Sequence, residues 1–163
     1  MSAGSGRYFP GMKFELAQVN IGRIRGPMES EVMRGFREAL DEINALAEAS
    51  AGFVWRFKTE AGNATSVSAF PDPLVLINLS VWESPAALRD YVYRSVHGKF
   101  FARRAEWFEK FEAPHLALWW VPAGERPTTA EARGRLASIA AQGPTPFAFT
   151  FRESFRPDGA AER

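Results

Sequence analysis

Apolar and polar residues alternate from Phe14 to Ile21, with Phe14, Leu16, Gln18 and Asn20 on one side and Glu15, Ala17, Val19 and Ile21 on the other. That period predicts a β-strand. Over residues 29–49 the apolar spacing lengthens: Val32, Phe36, Leu40, Ile43 and Ala47 share a side opposite the charges, as an amphipathic helix requires. Alternation returns over Phe53 to Lys58, a second strand. Ala61 to Pro73 carries Gly, Asn, Ser and Pro and reads as a loop. The strongest strand pattern follows, from Leu74 to Trp82. Ser84-Pro85 then suits a helix start, since serine caps free N–H groups and proline fits the first helical position. This helix runs to about Val96, breaks near Gly98 and resumes from Lys99 to about Phe111. His115 to Val121 is the next strand. Thr128 and Thr129, with Glu131, open a helix to Ala141, and Phe147 to Phe151 forms a last strand.

The order is β-α-β-β-α-α-β with an added α-β. Its first part is a split βαβ unit, so the expected fold class is α+β, a ferredoxin-like antiparallel sheet with helices on one face. Residues 1–12 read as a flexible N-terminal segment, 13–155 as one domain and 156–163 as a polar, frayed tail.

The strand from Leu74 to Trp82 has unlike sides. Val75, Ile77, Leu79 and Val81 make an aliphatic face suited to packing under the helices. Leu74, Leu76, Asn78, Ser80 and Trp82 make the other, where a water-facing sheet would carry charges. Gln18 and Asn20 extend this mixed face if the first strand lies alongside. Two readings follow: the polar groups satisfy one another across a seam with a second copy, or they line a small-molecule cavity, which is mostly apolar with a few placed polar groups. A dimer can also create the cavity.

Composition narrows the chemistry. With 14 Phe and 5 Trp the chain is rich in large flat side chains. Its net charge of +1 and lack of a basic stripe argue against a nucleic-acid partner. The absence of cysteine removes thiolate nucleophiles, disulfides and thiolate metal sites. No apolar run has membrane-spanning length and no secretory pattern precedes the first strand, so the expected location is the cytoplasm, with no membrane partner.

Candidate chemical residues are few. His97, at the helix break, suits a proton acceptor or a metal or haem ligand, or else the end of a helix, where an imidazole can meet free carbonyl groups. His115 starts a strand and reads as structural or ligand-binding. The two histidines have no metal-ligand spacing, so no metal is expected. Arg104, among Phe100, Trp107 and Phe111, stacks on Trp107 or presents its fork to an anionic ligand; Arg103 reads as solvated. Trp55, Trp82 and Trp120 are the indoles placed nearest the cavity or seam. No nucleophile elbow or phosphate-binding glycine loop is present.

Five stretches carry a family resemblance: F-E-L-A-Q-V-N-I (14–21), N-L-S-V-W-E-S (78–84), Y-R-S-V-H-G-K-F-F-A-R-R-A-E-W-F (93–108), H-L-A-L-W-W-V-P-A-G (115–124) and G-P-T-P-F-A-F-T-F (143–151). Together they resemble domain-of-unknown-function family 3291, related to the dimeric α/β-barrel group that includes antibiotic-biosynthesis monooxygenases. The resemblance implies a homodimer whose sheets meet face to face around a barrel. The wider group holds cofactor-independent oxygenases, haem-degrading enzymes, small isomerases and members without known activity. The expectation is therefore a small-molecule pocket for an apolar or aromatic ligand, with monooxygenase-like or isomerase-like chemistry. His97 would be the acid/base; Gln18, Asn78, Ser80, Trp82, Trp55, Arg104, Trp120 and His115 would be the ligand-binding set. No cofactor is required. The alternatives are a carrier of a hydrophobic metabolite or haem, and a purely structural dimer.

Overall fold

A computed structural model describes residues 10–58, 70–96 and 102–162 of the chain. In chain order its elements are β1 (Phe14–Arg23), a 3-10 turn (Glu31–Met33), α1 (Arg34–Ala49), β2 (Phe53–Arg56), β3 (Val75–Trp82), α2 (Pro85–Val96), α3 (Arg104–Trp107), β4 (Leu116–Pro122) and α4 (Thr129–Gln142). The sheet order is β2-β3-β1-β4, with every neighbour antiparallel. This is the predicted ferredoxin-like arrangement: β1 and β2 flank β3, so α1 crosses over a strand that the chain has not yet made.

The register fixes which residues share a face. Leu16, Gln18 and Asn20 lie opposite Trp82, Ser80 and Asn78 on one flank, and opposite Trp120, Leu118 and Leu116 on the other. On the alternate face Ala17, Val19 and Ile21 meet Val81, Leu79 and Ile77.

The assignment of helices to faces corrects the sequence expectation. α1 and α2 pack on the mixed face, where Ala47 and Leu88 join Leu16, Trp82 and Leu118. Phe36 and Leu40 join Ile24, Leu74 and Leu76 further along the same face. The aliphatic face packs instead under α4, through Ala132, Leu136 and Ile139. Ile77, Leu79 and Val81 are 5%, 2% and 0% exposed within a single chain, so this face is closed without a partner.

Helix starts follow the capping chemistry. The Ala87 N–H donates to Ser84 Oγ (3.2 Å) at the start of α2, and the Glu131 N–H donates to Thr128 Oγ1 (3.1 Å) at the start of α4. The second helical run ends earlier than predicted. It ends at Trp107, where the Arg25 N–H donates to Trp107 O and the Glu109 N–H donates to Arg23 O (both 2.9 Å). Those bonds lay residues 108–109 along the end of β1. Phe108 rests on Gly22, where a Cβ would fall 2.7 Å from its ring.

The last predicted strand contracts to one bridging residue, Phe149, whose N–H and C=O both pair with Leu118 at 2.8 Å. A tight turn in which Thr145 and Ala148 bond each other leaves no length for more. The described C-terminal residues are bonded to the sheet and to one another. The Trp120 Nε1–H donates to Phe155 O (2.7 Å), Phe155 bridges to Ala161, and the Glu162 N–H donates to Ser154 O (2.9 Å). Phe149 and Phe155 sit 5.9 Å apart and pack on the helix-side face, so the C-terminal segment passes from α4 around the β4 edge.

Candidate functional site

The helix-side face has two separate apolar clusters. One gathers Leu16, Trp82, Leu118 and Phe149 beneath α2 and the end of α1. The other gathers Ile24, Met33, Phe36 and Trp107 beneath the start of α1. Between them Gln18 and Asn20 on β1 face Ser80 and Asn78 on β3, forming a polar band across the two central strands.

The band is internally bonded. Gln18 Nε2 donates to Asn78 Oδ1 (2.8 Å) and to Ser80 Oγ (2.7 Å). Asn20 Nδ2 donates to Gln18 Oε1 (3.1 Å), and Trp82 Nε1 donates to Ser80 Oγ (2.9 Å). Gln18 and Ser80 are only 4% and 5% exposed, and their mutual bonds offset the desolvation of buried polar groups. Asn20 is half-buried. Asn78 is exposed although it lies mid-strand on a helix-covered face. The helices therefore leave the band open at Asn78, beyond the last described pairing of β2 with β3.

Aromatic rings close one end. Tyr91 of α2 stacks on Trp82 with centroids 5.0 Å apart and planes 24° apart, and Phe53 meets the same indole edge-on at 5.5 Å. Burial pushes the Tyr91 phenol above its ordinary pKa, so the group stays neutral at physiological pH. The nearby cation is engaged too: Arg56, opposite Ser80 in register, bonds Glu48 of α1 through Nε at 2.7 Å. The site is thus amide, hydroxyl and indole chemistry with no unpaired charge among the described residues lining the band.

Four of the sequence candidates, Gln18, Asn78, Ser80 and Trp82, come together here. They share the sheet face on which the chain's own helices α1 and α2 pack. Asn20 and Tyr91 belong with them and were not singled out as site residues. The alternation that pairs Asn20 with Gln18 carried the first; the overlay of Tyr91 on Trp82 depends on helix placement and has no sequence signal.

The other candidates lie elsewhere. Trp55 pairs with Val81 and faces the α4 side. Trp120 shares the helix-side face but is tied to Phe155, at a shallow surface cleft of about 410 Å³ with Glu83 and Arg156. His115 is exposed just before β4, with Nδ1 3.4 Å from Ala113 O and its ring 6.2 Å from Phe111. The two arginines exchange their expected places. Arg103 lies 4.8 Å over the Trp107 ring and pairs with Glu106 at 2.7 Å, whereas Arg104 lies over Phe108 at 5.4 Å. Arg103, the residue just before α3, reaches along that helix to Glu106 and Trp107. His97 lies outside the described residues. Among the described residues no three His, Asp or Glu side chains are grouped to hold a metal, and no helix is long and apolar enough to cross a membrane.

Comparison with known proteins yields a family and solved structures that include two proteins of low identity. The model of the family described as "Domain of unknown function (DUF3291)" matches residues 15–163. No curated protein matches the chain. The crystal structure of NE2512, a protein of unknown function from Nitrosomonas europaea, is 14% identical with a TM-score of 0.45, over 72% of this chain and 99% of that one. The crystal structure of PA3566 from Pseudomonas aeruginosa is 14% identical with a TM-score of 0.40, over 72% and 98%.

Proposed function

The chain belongs to the DUF3291 family, and from that premise we propose that it binds a small, largely uncharged molecule against the helix-side face of its sheet. The Gln18, Asn20, Asn78 and Ser80 network orients the ligand, and Trp82 with Tyr91 forms an aromatic wall. One observation carries this reading: the polar band that divides the helix-side core in two and opens at Asn78. A core built for stability alone can fill such a band with apolar groups at little or no loss, because replacing bonded polar partners by apolar groups of the same shape is nearly neutral or stabilising. Ligand pockets, in contrast, combine apolar walls with a few placed polar groups.

The reading needs no second copy, since every group in it comes from one chain. For the monooxygenase-like or isomerase-like chemistry that the family resemblance implies, His97, next in sequence after α2, is the proposed proton carrier. Ligand binding retained with turnover lost in His97→Ala would support that role.

The test of binding is a screen of small neutral aromatic compounds followed by NMR. The side-chain amides of Asn20 and Asn78 should shift together on binding, and Asn78→Ala should abolish the response while the protein stays folded. A screen whose binders move only residues around Trp120 and Arg156 would overturn the proposal.

A further inference from the structure

Gln18 governs what the polar band offers at its open end. Its amide nitrogen donates to Asn78 Oδ1 and Ser80 Oγ, and its amide oxygen accepts from Asn20 Nδ2. Asn78 therefore spends its oxygen on Gln18 and keeps both Nδ2 hydrogens, whereas Asn20 spends a hydrogen and keeps Oδ1 bare. Turning all three amides over exchanges the two roles and preserves the contrast: Asn78 then donates to Gln18 and keeps its oxygen, and Asn20 accepts and keeps its hydrogens. One amide placed between two others always sets them in opposite senses. The band as a whole is balanced. Four hydrogens are spare, two on Asn78 and one each on Asn20 and Ser80, and four acceptor sites are spare, two on Asn20 Oδ1 and one each on Gln18 Oε1 and Asn78 Oδ1. Gln18 and Ser80 are buried, so a ligand reaches the half-buried Asn20 and the exposed Asn78. These two are register partners on β1 and β3, a pairing that sets Cα atoms about 5 Å apart.

Resting on the proposed binding site, we infer that its ligand carries an N–H donor and a carbonyl acceptor side by side, the edge of a neutral lactam or other cis-amide, read by the Asn20–Asn78 pair. One asparagine meets the carbonyl with its NH2 group and the other meets the N–H with its oxygen. Water serves both asparagines before binding, because it donates and accepts. A ligand that displaces it must do the same. A ketone leaves the bare oxygen unpaired, an amine without a carbonyl leaves the NH2 group unpaired, and a hydrocarbon leaves both. The ligand is neutral because the cation opposite Ser80, Arg56, is already engaged by Glu48.

The experiment uses three probes on one bicyclic skeleton, all neutral at physiological pH: oxindole, with N–H beside C=O; 2-indanone, with the carbonyl alone; and indoline, with the N–H alone. Dissociation constants come from NMR titration of the Asn20 and Asn78 side-chain amides. Oxindole is expected to bind about tenfold more tightly than either half-analogue, as one hydrogen bond implies. Asn78→Asp is nearly isosteric at an exposed position. It accepts from Gln18 and has no NH2 group, so Gln18 again takes a hydrogen from Asn20, whose oxygen stays bare. The carbonyl contact is lost and the N–H contact is kept. The preference for oxindole over indoline should therefore fall to about twofold or less, while the preference over 2-indanone persists. Equal binding of oxindole and either half-analogue by the natural protein, or an unchanged preference over indoline in Asn78→Asp, overturns the inference and leaves the binding site standing. If none of the three probes perturbs the two amides, the binding site itself fails and the inference with it.

Discussion

Gly52 shows how much one residue can decide. It turns the chain from α1 into β2 at φ +81°, in the left-handed region that suits glycine, and an added Cβ would fall 2.4 Å from Ala87 Cβ at the start of α2. Gly52→Ala should therefore cost about 2–4 kcal/mol, combining backbone strain with overpacking. Urea unfolding measures this, and a loss below about 0.5 kcal/mol, the usual range for a surface substitution, would refute the tight junction. At this scale much of the site is legible in the sequence. Period-two alternation places Gln18, Asn78, Ser80 and Trp82 on a common face, and the structure bonds all four. The same rule puts Trp55 on the side of Phe53, but a bulge between the two turns Trp55 to the opposite face.

Between elements, Arg23 ties the end of β1 to the segments entering β3 and β4. Its guanidinium bonds Asp72 at 2.8 Å and Glu109 at 2.7 Å. The Arg23 hydrogen bond, then the Leu74 N–H, holds the Asp72 carboxyl below its ordinary pKa. A folded pKa below the unfolded one means the stabilisation is present above the ordinary carboxylate range and fades as the pH falls through the folded value. The stability gap between the natural protein and Asp72→Asn should accordingly be open at neutral pH and close below about pH 4. Chemical unfolding across that range is the measurement, and a gap unchanged in acid would exclude the link. Strand and helix existence follows from periodicity and caps, as Ser84 and Thr128 illustrate. Which face meets which helix does not: both faces of β1 and β3 are rich in apolar groups, and alternation says only which residues are neighbours. The short α3 and the anchored tail escape the sequence for a related reason. Each is fixed by bonds to distant strands, Glu109 to Arg23 and Phe155 to Trp120.

Over the whole molecule, the decisive feature is that α4 closes the aliphatic sheet face within one chain. Leu136 is its most inserted large side chain at 6% exposure, packed with Ala17, Val19 and their neighbours. Leu136→Ala should cost about 2–4 kcal/mol, typical of a buried leucine truncated to alanine. The unfolding midpoint of the natural protein should also be independent of protein concentration, since a face covered by a partner would make it depend on mass action. A midpoint that rises with concentration would show that a second copy, rather than α4 alone, completes this layer.

The position of β1 has a consequence for the order in which the protein can be made. β1 is one of the two central strands, and both its neighbours, β3 and β4, come from later in the chain. A nascent chain emerging from the ribosome therefore carries β1 unpaired along both edges until β3 appears, and along one edge until β4 follows. Native pairing is deferred until β4 is made, and the later α4 and Trp120–Phe155 clasp secure a sheet that has only just become complete.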